Sequence, residues 1–143
     1  MKILLFVLLL SLLSVAGCRQ TALAPATRSV SPGEPSLGAR LFQQTLIGVK
    51  NAPGCINCHS LTPGVVLVGP VLAGIGTRAS TIIKQANYTG RAKSAADYVR
   101  ESITNPNAFI EAGFQPDVMR ATYAQALSPQ EIEDLVAFLL TLK

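Results

Sequence analysis

Residues 54–59 read GCINCH, so that Cys55 and Cys58 stand three positions apart and His59 follows directly. His59 is the only histidine of the chain. A zinc site is one candidate, but tetrahedral zinc takes four ligands and the chain has no second Cys or His pair to complete the set. A redox disulfide is another, but that motif belongs to a βαβ context that the sequence lacks, and it leaves His59 without a role.

Covalent haem attachment is the third candidate, because Cys-x-x-Cys-His is the signature of c-type haem. In this chemistry each thiol adds to one vinyl group on the same edge of the porphyrin, and the histidine binds the iron as its proximal ligand. All three residues then have a role. We therefore predict one covalent haem c, with its iron, bound through Cys55, Cys58 and His59.

The start of the chain has the features of a secretory signal. Lys2 is followed by an apolar run over residues 3–13, which is too short to span a bilayer, and then by small residues. Residues 15–18, VAGC, resemble the lipobox of bacterial lipoproteins, in which the cysteine is acylated and the signal is removed before it. This resemblance implies a signal peptide over 1–17, lipidation of Cys18, and an anchor at the extracytoplasmic (periplasmic) face of the bacterial membrane. An ordinary signal with an incidental cysteine, or an uncleaved anchor, are the alternatives.

Composition separates a linker from a folded domain. Residues 19–35 are rich in Pro, Ser and Thr and show no apolar period. This predicts a lipidated flexible linker over 18–35 and one folded domain over 36–143. The net charge of +4 is mild, and no basic run is interleaved with aromatic residues, so nucleic acid is not expected as a partner.

Apolar spacing and capping residues predict a mostly helical domain. Helices are expected over about 36–47, near 79–86 and from Ser94 to Asn105. The segment Val65–Val68 could form a strand, but the flanking Gly and Pro residues favour a loop with an apolar underside.

The last helix is the clearest. Ser128 is its predicted N-cap, Pro129 occupies the first helical position and Glu131 completes a capping box. By contrast, residues 60–78 and 104–128 show little regular structure. Long loops of this kind in a small domain need something to fold around, and a large apolar ligand would supply it.

A second axial ligand can be sought among the methionines. Met119 is the only one left once the signal is removed. It lies in an irregular segment beside Asp117 and Arg120, which speaks against simple core packing, although thioethers are also good apolar filler. A thioether on iron favours the ferrous state and closes the coordination shell, so the expected product is an electron carrier and not an enzyme.

Together these motifs make the chain resemble class I cytochrome c over 36–143. The resemblance implies an all-α cytochrome c fold, in which the N- and C-terminal helices cross and long loops wrap around one covalent haem. Gly38 and Phe42 in the first helix and Phe138 in the last stand where this crossing is expected. The stretch from Phe42 to Cys55 is longer than in small mitochondrial relatives, which predicts an extra turn or loop there.

The resemblance also implies roles around the haem. Pro70, in VGP, would accept a hydrogen bond from the proximal histidine. Arg78 and Tyr88 would bind a haem propionate, with solvated side chains as the alternative. Met119 stands where the distal ligand is expected, although the family commonly has proline where this chain has Arg120. The side chains expected to line the haem are Val66, Val68, Leu72, Ile75 and Phe114.

The expected function is single-electron transfer between respiratory or photosynthetic redox partners by a membrane-tethered monohaem cytochrome. The partners would be redox proteins, a multi-subunit quinol oxidoreductase or a terminal oxidase, with docking near Cys55, Cys58 and Arg120. The chain also resembles the small monohaem lipoprotein subunit of alternative complex III, a bacterial quinol:electron-acceptor oxidoreductase. A haem enzyme or gas sensor is the remaining alternative, and it needs an open iron site.

Overall fold

The computed structural model describes residues 29–143, which contain five helices and one short hairpin joined by loops. The predicted signal peptide, the acylation site at Cys18 and the first part of the linker lie outside the described residues. The elements, in chain order, are α1 (Pro35–Phe42), β1 (Leu46–Ile47), β2 (Ala52–Pro53), α2 (Ile75–Ile82), α3 (Ala95–Thr104), α4 (Tyr123–Ala126) and α5 (Pro129–Thr141), with 3₁₀ turns at Cys55–Asn57 and Pro106–Ala108. Within this range, no helix is both long and apolar enough to cross a membrane.

The packing of α1 against α5 confirms the predicted all-α architecture and the crossing of the first and last helices. The ring of Phe42 is fully buried, and its centroid lies 5.6 Å from that of Phe138. A Cβ on Gly38 would collide with the backbone carbonyl of Asp134 and with the Cβ of Phe138. Only glycine therefore allows the two helices to approach this closely.

The helices α3 and α5 begin at the capping residues that the sequence indicates. The Ser94 hydroxyl accepts a hydrogen bond from the backbone N–H of Asp97 at 3.1 Å. At the start of α5, the Ser128 hydroxyl accepts from the backbone N–H of Glu131, and the Glu131 carboxylate accepts from the backbone N–H of Ser128 at 2.7 Å. These bonds satisfy backbone donors that a helix start otherwise leaves free, so both predictions are confirmed.

A small hairpin replaces the end of the first predicted helix. The helix α1 stops at Phe42 rather than near residue 47, and β1 pairs antiparallel with β2 through Ile47 and Ala52. The turn between the strands uses positive φ angles at Gly48 and Asn51. Ile47 continues the helical apolar spacing of the sequence, but in the structure it is a buried residue of β1. Apolar spacing alone therefore placed the end of the first helix too late. The hairpin is the extra loop expected between Phe42 and Cys55.

The second helix starts earlier than predicted. It covers Ile75–Ile82 and begins at Gly74, which has a left-handed backbone (φ 72°) and no capping side chain. Its first turn is held from outside, because the backbone N–H of Gly76 donates to the carbonyl of Leu142 at 2.8 Å. A contact with the far end of the chain leaves no local signal in the sequence.

The segment Val65–Val68 is a loop, as predicted, but its side chains are not buried beneath the domain. They are 42 to 58% exposed, and Val66 is the most exposed of the four. Val68 nevertheless lines the cavity between the helices and loops, whereas Val66 does not, so the expectation that Val66 lines the cofactor is wrong.

The predicted linker is packed at its C-terminal end. The backbone N–H of Ser31 donates to the Gln130 side chain at 2.9 Å, and that of Glu34 donates to the carboxylate of Asp134 at 2.8 Å. The Glu34 side chain also caps α1. Polar side chains of α5 thus bind the backbone just before the predicted domain boundary at residue 36.

Candidate functional site

A cavity of about 240 Å³ lies between the helices and the two long loops. The helices α3 and α5 form part of its wall, and residues within 53–75 and 106–120 form most of the rest. The lining is mostly apolar. The segments that show little regular structure in the sequence are therefore the ones that fold around this space.

The GCINCH segment forms one wall of the cavity. A 3₁₀ turn over Cys55–Asn57 brings the backbone N–H of His59 to 2.9 Å from the carbonyl of Cys55. The side chain of Asn57 points away and donates to the carbonyl of Thr45 at 2.8 Å. As a result Cys55, Cys58 and His59 all line the cavity, whereas Asn57 does not.

The imidazole of His59 is held in one tautomer. Its Nδ1 lies 2.8 Å from the carbonyl oxygen of Pro70, which can only accept a hydrogen bond. Nδ1 must therefore carry the proton, and Nε2 keeps a lone pair that can bind a metal. Burial lowers the pKa of His59, against the opposing effects of the Pro70 carbonyl and the Glu111 charge, and so favours the neutral ligand form. The hydrogen bond to Pro70 that the resemblance implies is present.

Gly69 packs closely against the imidazole ring of His59. A Cβ on Gly69 would lie 2.5 Å from Cε1 of His59 and 2.9 Å from each ring nitrogen. The backbone N–H of Gly69 also donates to the carbonyl of Cys58 at 2.9 Å. The glycine thus forms a cradle for the imidazole plane that any larger residue would fill.

Both cysteines are free thiols, as covalent attachment to a cofactor requires. Before attachment, burial raises the pKa of the Cys55 thiol to about 11. Among the described residues, no group of three or more His, Cys, Asp or Glu side chains is arranged to hold a metal ion.

Met119 lines the same cavity and is half-buried. The segment before it is fastened by a pair of hydrogen bonds between Asn107 and Asp117. The Asn107 amide donates to the Asp117 carboxylate at 2.6 Å, and the Asp117 N–H donates back to the Asn107 side chain at 3.0 Å. Asp117 has a left-handed backbone (φ 62°), which turns the chain just before Met119. The structure therefore brings both predicted axial ligands, His59 and Met119, to one cavity.

The two predicted propionate ligands lie outside the cavity lining. The Arg78 guanidinium donates to the carbonyls of Val71 and Ala73 at 2.9 to 3.1 Å. The Tyr88 hydroxyl donates to the Glu101 carboxylate at 2.7 Å. Both side chains thus bind protein groups in this structure, and their propionate roles stay predictions.

Four of the five expected lining residues, Val68, Leu72, Ile75 and Phe114, do line the cavity.

The cavity wall also contains polar residues that the sequence did not indicate as site residues, among them Tyr98, Glu111 and Tyr123. The Tyr98 hydroxyl lies 3.4 Å from the Glu111 carboxylate, and burial raises the pKa of Tyr98. Arg78 lies 3.9 Å from the same carboxylate. The apolar spacing of Tyr98, Val99 and Ile103 in α3 could have indicated the burial of Tyr98. Glu111 and Tyr123 lie where the sequence shows no such spacing.

Residues 36–143 match the family model for cytochrome c. The chain belongs to the cytochrome c family. Its members are electron-transfer haem proteins, and the cofactor of this chain is haem c, bound covalently with its iron. Two free thiols, an imidazole with Nε2 available and a mostly apolar enclosure fit that group.

Solved structures of c-type cytochromes are similar to this chain at low identity. An engineered cytochrome c from Rhodothermus marinus bound to a carbene intermediate is 18% identical, with a TM-score of 0.40, and the match covers 76% of this chain and 75% of that one. The c-type cytochrome SorU from Sinorhizobium meliloti is 19% identical, with a TM-score of 0.37, over 75% of this chain and 87% of that one. No curated protein is significantly similar in sequence.

Proposed function

We propose that this cytochrome is a membrane-tethered carrier of single electrons between respiratory or photosynthetic redox partners, and not an enzyme. The observation that carries the proposal is that a neutral imidazole, His59, and a thioether, Met119, line one apolar cavity. When bound, the haem supplies a one-electron couple. Its two axial positions would both be held by side chains of this chain, which leaves no open position for a substrate or a gas.

The protein tunes this couple through its own residues. The Pro70 carbonyl fixes the ring of His59, and a thioether ligand raises the reduction potential relative to a second histidine. The apolar lining acts in the same direction, because a dry site disfavours the additional positive charge of the oxidised state. A relatively high potential, suited to delivering electrons late in a chain, follows from these contacts.

The membrane tether rests on the lipobox-like residues 15–18, VAGC. An acylated Cys18 would hold the domain at the extracytoplasmic face, where a tether raises the effective concentration of redox partners at the surface. A Cys18→Ser variant should lose its acyl chains and leave the membrane fraction. Retention of that variant in washed membranes as firmly as wild type would contradict the lipid anchor.

A permanent place in a larger complex is the second candidate, as the small subunit of a quinol:electron-acceptor oxidoreductase of the alternative complex III type. It is favoured by the exposed apolar segment Val65–Val68, next to a cavity that Val68 itself lines. Residues 60–77 contain no charged side chain. Exposed apolar patches of this kind mark lasting interfaces, whereas a free shuttle is expected to present a polar rim.

Purification from native membranes in mild detergent separates these two candidates. A free carrier should elute alone, and a complex subunit should elute with quinol-oxidising activity. A Val66→Lys variant sharpens the result, because Val66 is 58% exposed and does not line the cavity. It should retain its haem but dissociate from a complex. Elution of wild type and variant in the same monomeric peak would support the free carrier.

Carbon monoxide tests the remaining alternative, a haem enzyme or gas sensor. With Met119 on the iron, the reduced protein should bind carbon monoxide only slowly and weakly. Rapid and complete binding by the native protein would indicate an open iron site and would contradict the carrier assignment.

A further inference from the structure

Tyr123 joins the two segments that carry the predicted axial and covalent ligands. Its side chain lines the cavity and is only 8% exposed. Its hydroxyl donates to the carbonyl of Pro53 at 2.8 Å, across 70 positions of sequence. Pro53 lies two residues before Cys55, and Tyr123 lies four residues after Met119.

The hairpin of β1 and β2 makes a second attachment to the same short helix, α4. The backbone N–H of Val49 donates to the carbonyl of Ala126 at 2.9 Å. Gly48 packs so tightly against that carbonyl that a Cβ there would collide with it. The hairpin thus holds α4 at its end through Val49, and at its start through the Tyr123–Pro53 bond.

This arrangement fixes the Met119 segment from its C-terminal side. On the N-terminal side the Asn107–Asp117 pair turns and fastens the chain. On the C-terminal side α4 carries Tyr123, and both Tyr123 and Met119 line the cavity. A phenylalanine would fill the same volume, so the hydroxyl contributes the bond to Pro53 and little else.

We propose that Tyr123 is a positioning residue that keeps the Met119 thioether in place for the iron by tying its segment to the one that carries Cys55. The inference rests on the proposed distal role of Met119. The β1–β2 hairpin is then part of the ligand-holding apparatus rather than a surface insertion. Loss of the tie should weaken ligation by Met119 more than it weakens the fold.

The test uses a Tyr123→Phe variant of the complete holoprotein. It retains the ring but leaves the Pro53 carbonyl without its donor, a loss worth about a five-fold shift in an equilibrium between tied and released states. The oxidised variant should bind added imidazole about five-fold more tightly than wild type, since imidazole competes with the thioether. Its far-red absorption band, which reports iron–thioether ligation, should also disappear at a lower pH in an alkaline titration.

A Thr89→Val variant is the matched control. The Thr89 hydroxyl donates to the carbonyl of Ala108, so the variant also removes a hydroxyl-to-carbonyl bond, but between segments that carry none of the predicted iron or thioether ligands. It should lower the thermal stability and leave the imidazole affinity unchanged. If Tyr123→Phe behaves in the same way as Thr89→Val, the hydroxyl serves packing alone and the inference is overturned.

A pair of glycine variants tests the hairpin without touching Tyr123. Gly48 and Gly64 both have left-handed backbones (φ 69° and 76°), so alanine strains the backbone at either site. A Cβ at position 48 meets Ala126, whereas a Cβ at position 64 has no atom within 4 Å. Gly48→Ala should raise imidazole affinity and Gly64→Ala should not. Equal affinities in these two variants would overturn the inference even where Tyr123→Phe fails to fold.

The wild-type spectrum separates failure of the inference from failure of its premise. Absence of the far-red band in oxidised wild type would remove Met119 from the iron and overturn the proposed function together with the inference. Presence of the band in wild type, with unchanged ligation in Tyr123→Phe and Gly48→Ala, would overturn the inference alone.

Discussion

The two walls of the cavity are built in different ways. The wall with Cys55 and His59 is local, because a 3₁₀ turn and the nearby Pro70 carbonyl set its geometry within a short stretch of chain. The wall with Met119 also has a nearby partner, Asn107, but it depends in addition on the distant β1–β2 hairpin that holds α4. The first wall should therefore tolerate changes elsewhere in the domain, and the second should respond to them.

This difference predicts which ligand is lost first. A locally encoded turn retains its shape while the rest of the domain loosens, whereas a segment held by long-range contacts releases when those contacts open. We expect partial unfolding to free Met119 while the haem stays attached and His59 stays bound. Four variants test this difference between the two walls, and they are given in order of decreasing effect.

His59→Ala should have the largest effect. The neutral imidazole lies in the wall with Cys55 and His59 and is the predicted iron ligand there. Its loss removes the group that would hold the iron beside the two thiols. Little mature holoprotein should accumulate in membranes. Haem staining of the purified fraction measures this directly, and a normal haem yield would contradict the assignment of His59.

Met119→Ala should leave the covalent attachment of the haem intact and should change its reduction potential. The haem should remain covalently bound, because Cys55, Cys58 and His59 are unchanged. The reduction potential should fall on the order of 0.2 V, within the roughly 0.8 V range that axial ligands span, and carbon monoxide should bind the reduced protein readily. Redox titration beside wild type gives the answer. An unchanged potential would remove Met119 from the site.

Gly69→Ala should disturb the wall with Cys55 and His59 less than His59→Ala does. The added Cβ would lie 2.5 Å from Cε1 of His59, so the ring or the backbone has to move, at a cost of about 1–3 kcal/mol in unfolding free energy. Guanidinium unfolding of the holoprotein measures the cost. The comparison variant is Gly64→Ala, which strains the backbone without meeting any neighbour. A smaller loss at position 69 than at position 64 would show that Gly69 does not confine the imidazole.

Glu133→Gln tests an ion pair that belongs to neither wall, and its effect should be the smallest. The Arg100 guanidinium binds the Glu133 carboxylate in a two-pronged contact at 2.6 and 2.8 Å and holds the pKa of Glu133 below its ordinary value of 4.5. The variant should lose about 1 kcal/mol of unfolding free energy at neutral pH, the upper range for a partly exposed pair. The far-red band should not change.

The sign of the pH dependence follows from the lowered pKa. The pair stabilises the folded state at pH values above the ordinary pKa of Glu133, and this contribution is lost as the pH falls through the lowered folded-state pKa. The difference between wild type and Glu133→Gln should therefore shrink in acid. A double-mutant cycle with Arg100→Gln isolates the pair, and a difference that grows in acid would contradict this account.

The sequence predicted best what is decided by neighbouring residues. The capping box of Ser128 and Glu131, the cap at Ser94 and the Cys-x-x-Cys-His signature are all local chemistry, and the structure shows each of them. The helix crossing was predicted from the resemblance to class I cytochrome c, which places Gly38, Phe42 and Phe138 at the crossing, and the structure shows this packing.

The remaining errors concern positions that distant contacts decide. The helix α1 gives way to a strand pair after Phe42, and α2 begins at Gly74 because its first turn is held by Leu142. Val66 is apolar but points to solvent, since burial of a loop side chain depends on what lies above it. Tyr123 begins the short helix α4, and the spacing of the sequence around it gives no indication that its hydroxyl reaches Pro53.

The absorption spectrum of the oxidised wild-type holoprotein tests the central claim most directly, namely that both axial ligands come from this cavity. Ligation of the iron by both His59 and Met119 should give the oxidised protein a weak far-red band at neutral pH that is absent from Met119→Ala. A wild-type spectrum without that band, or a band of equal intensity in Met119→Ala, would contradict it.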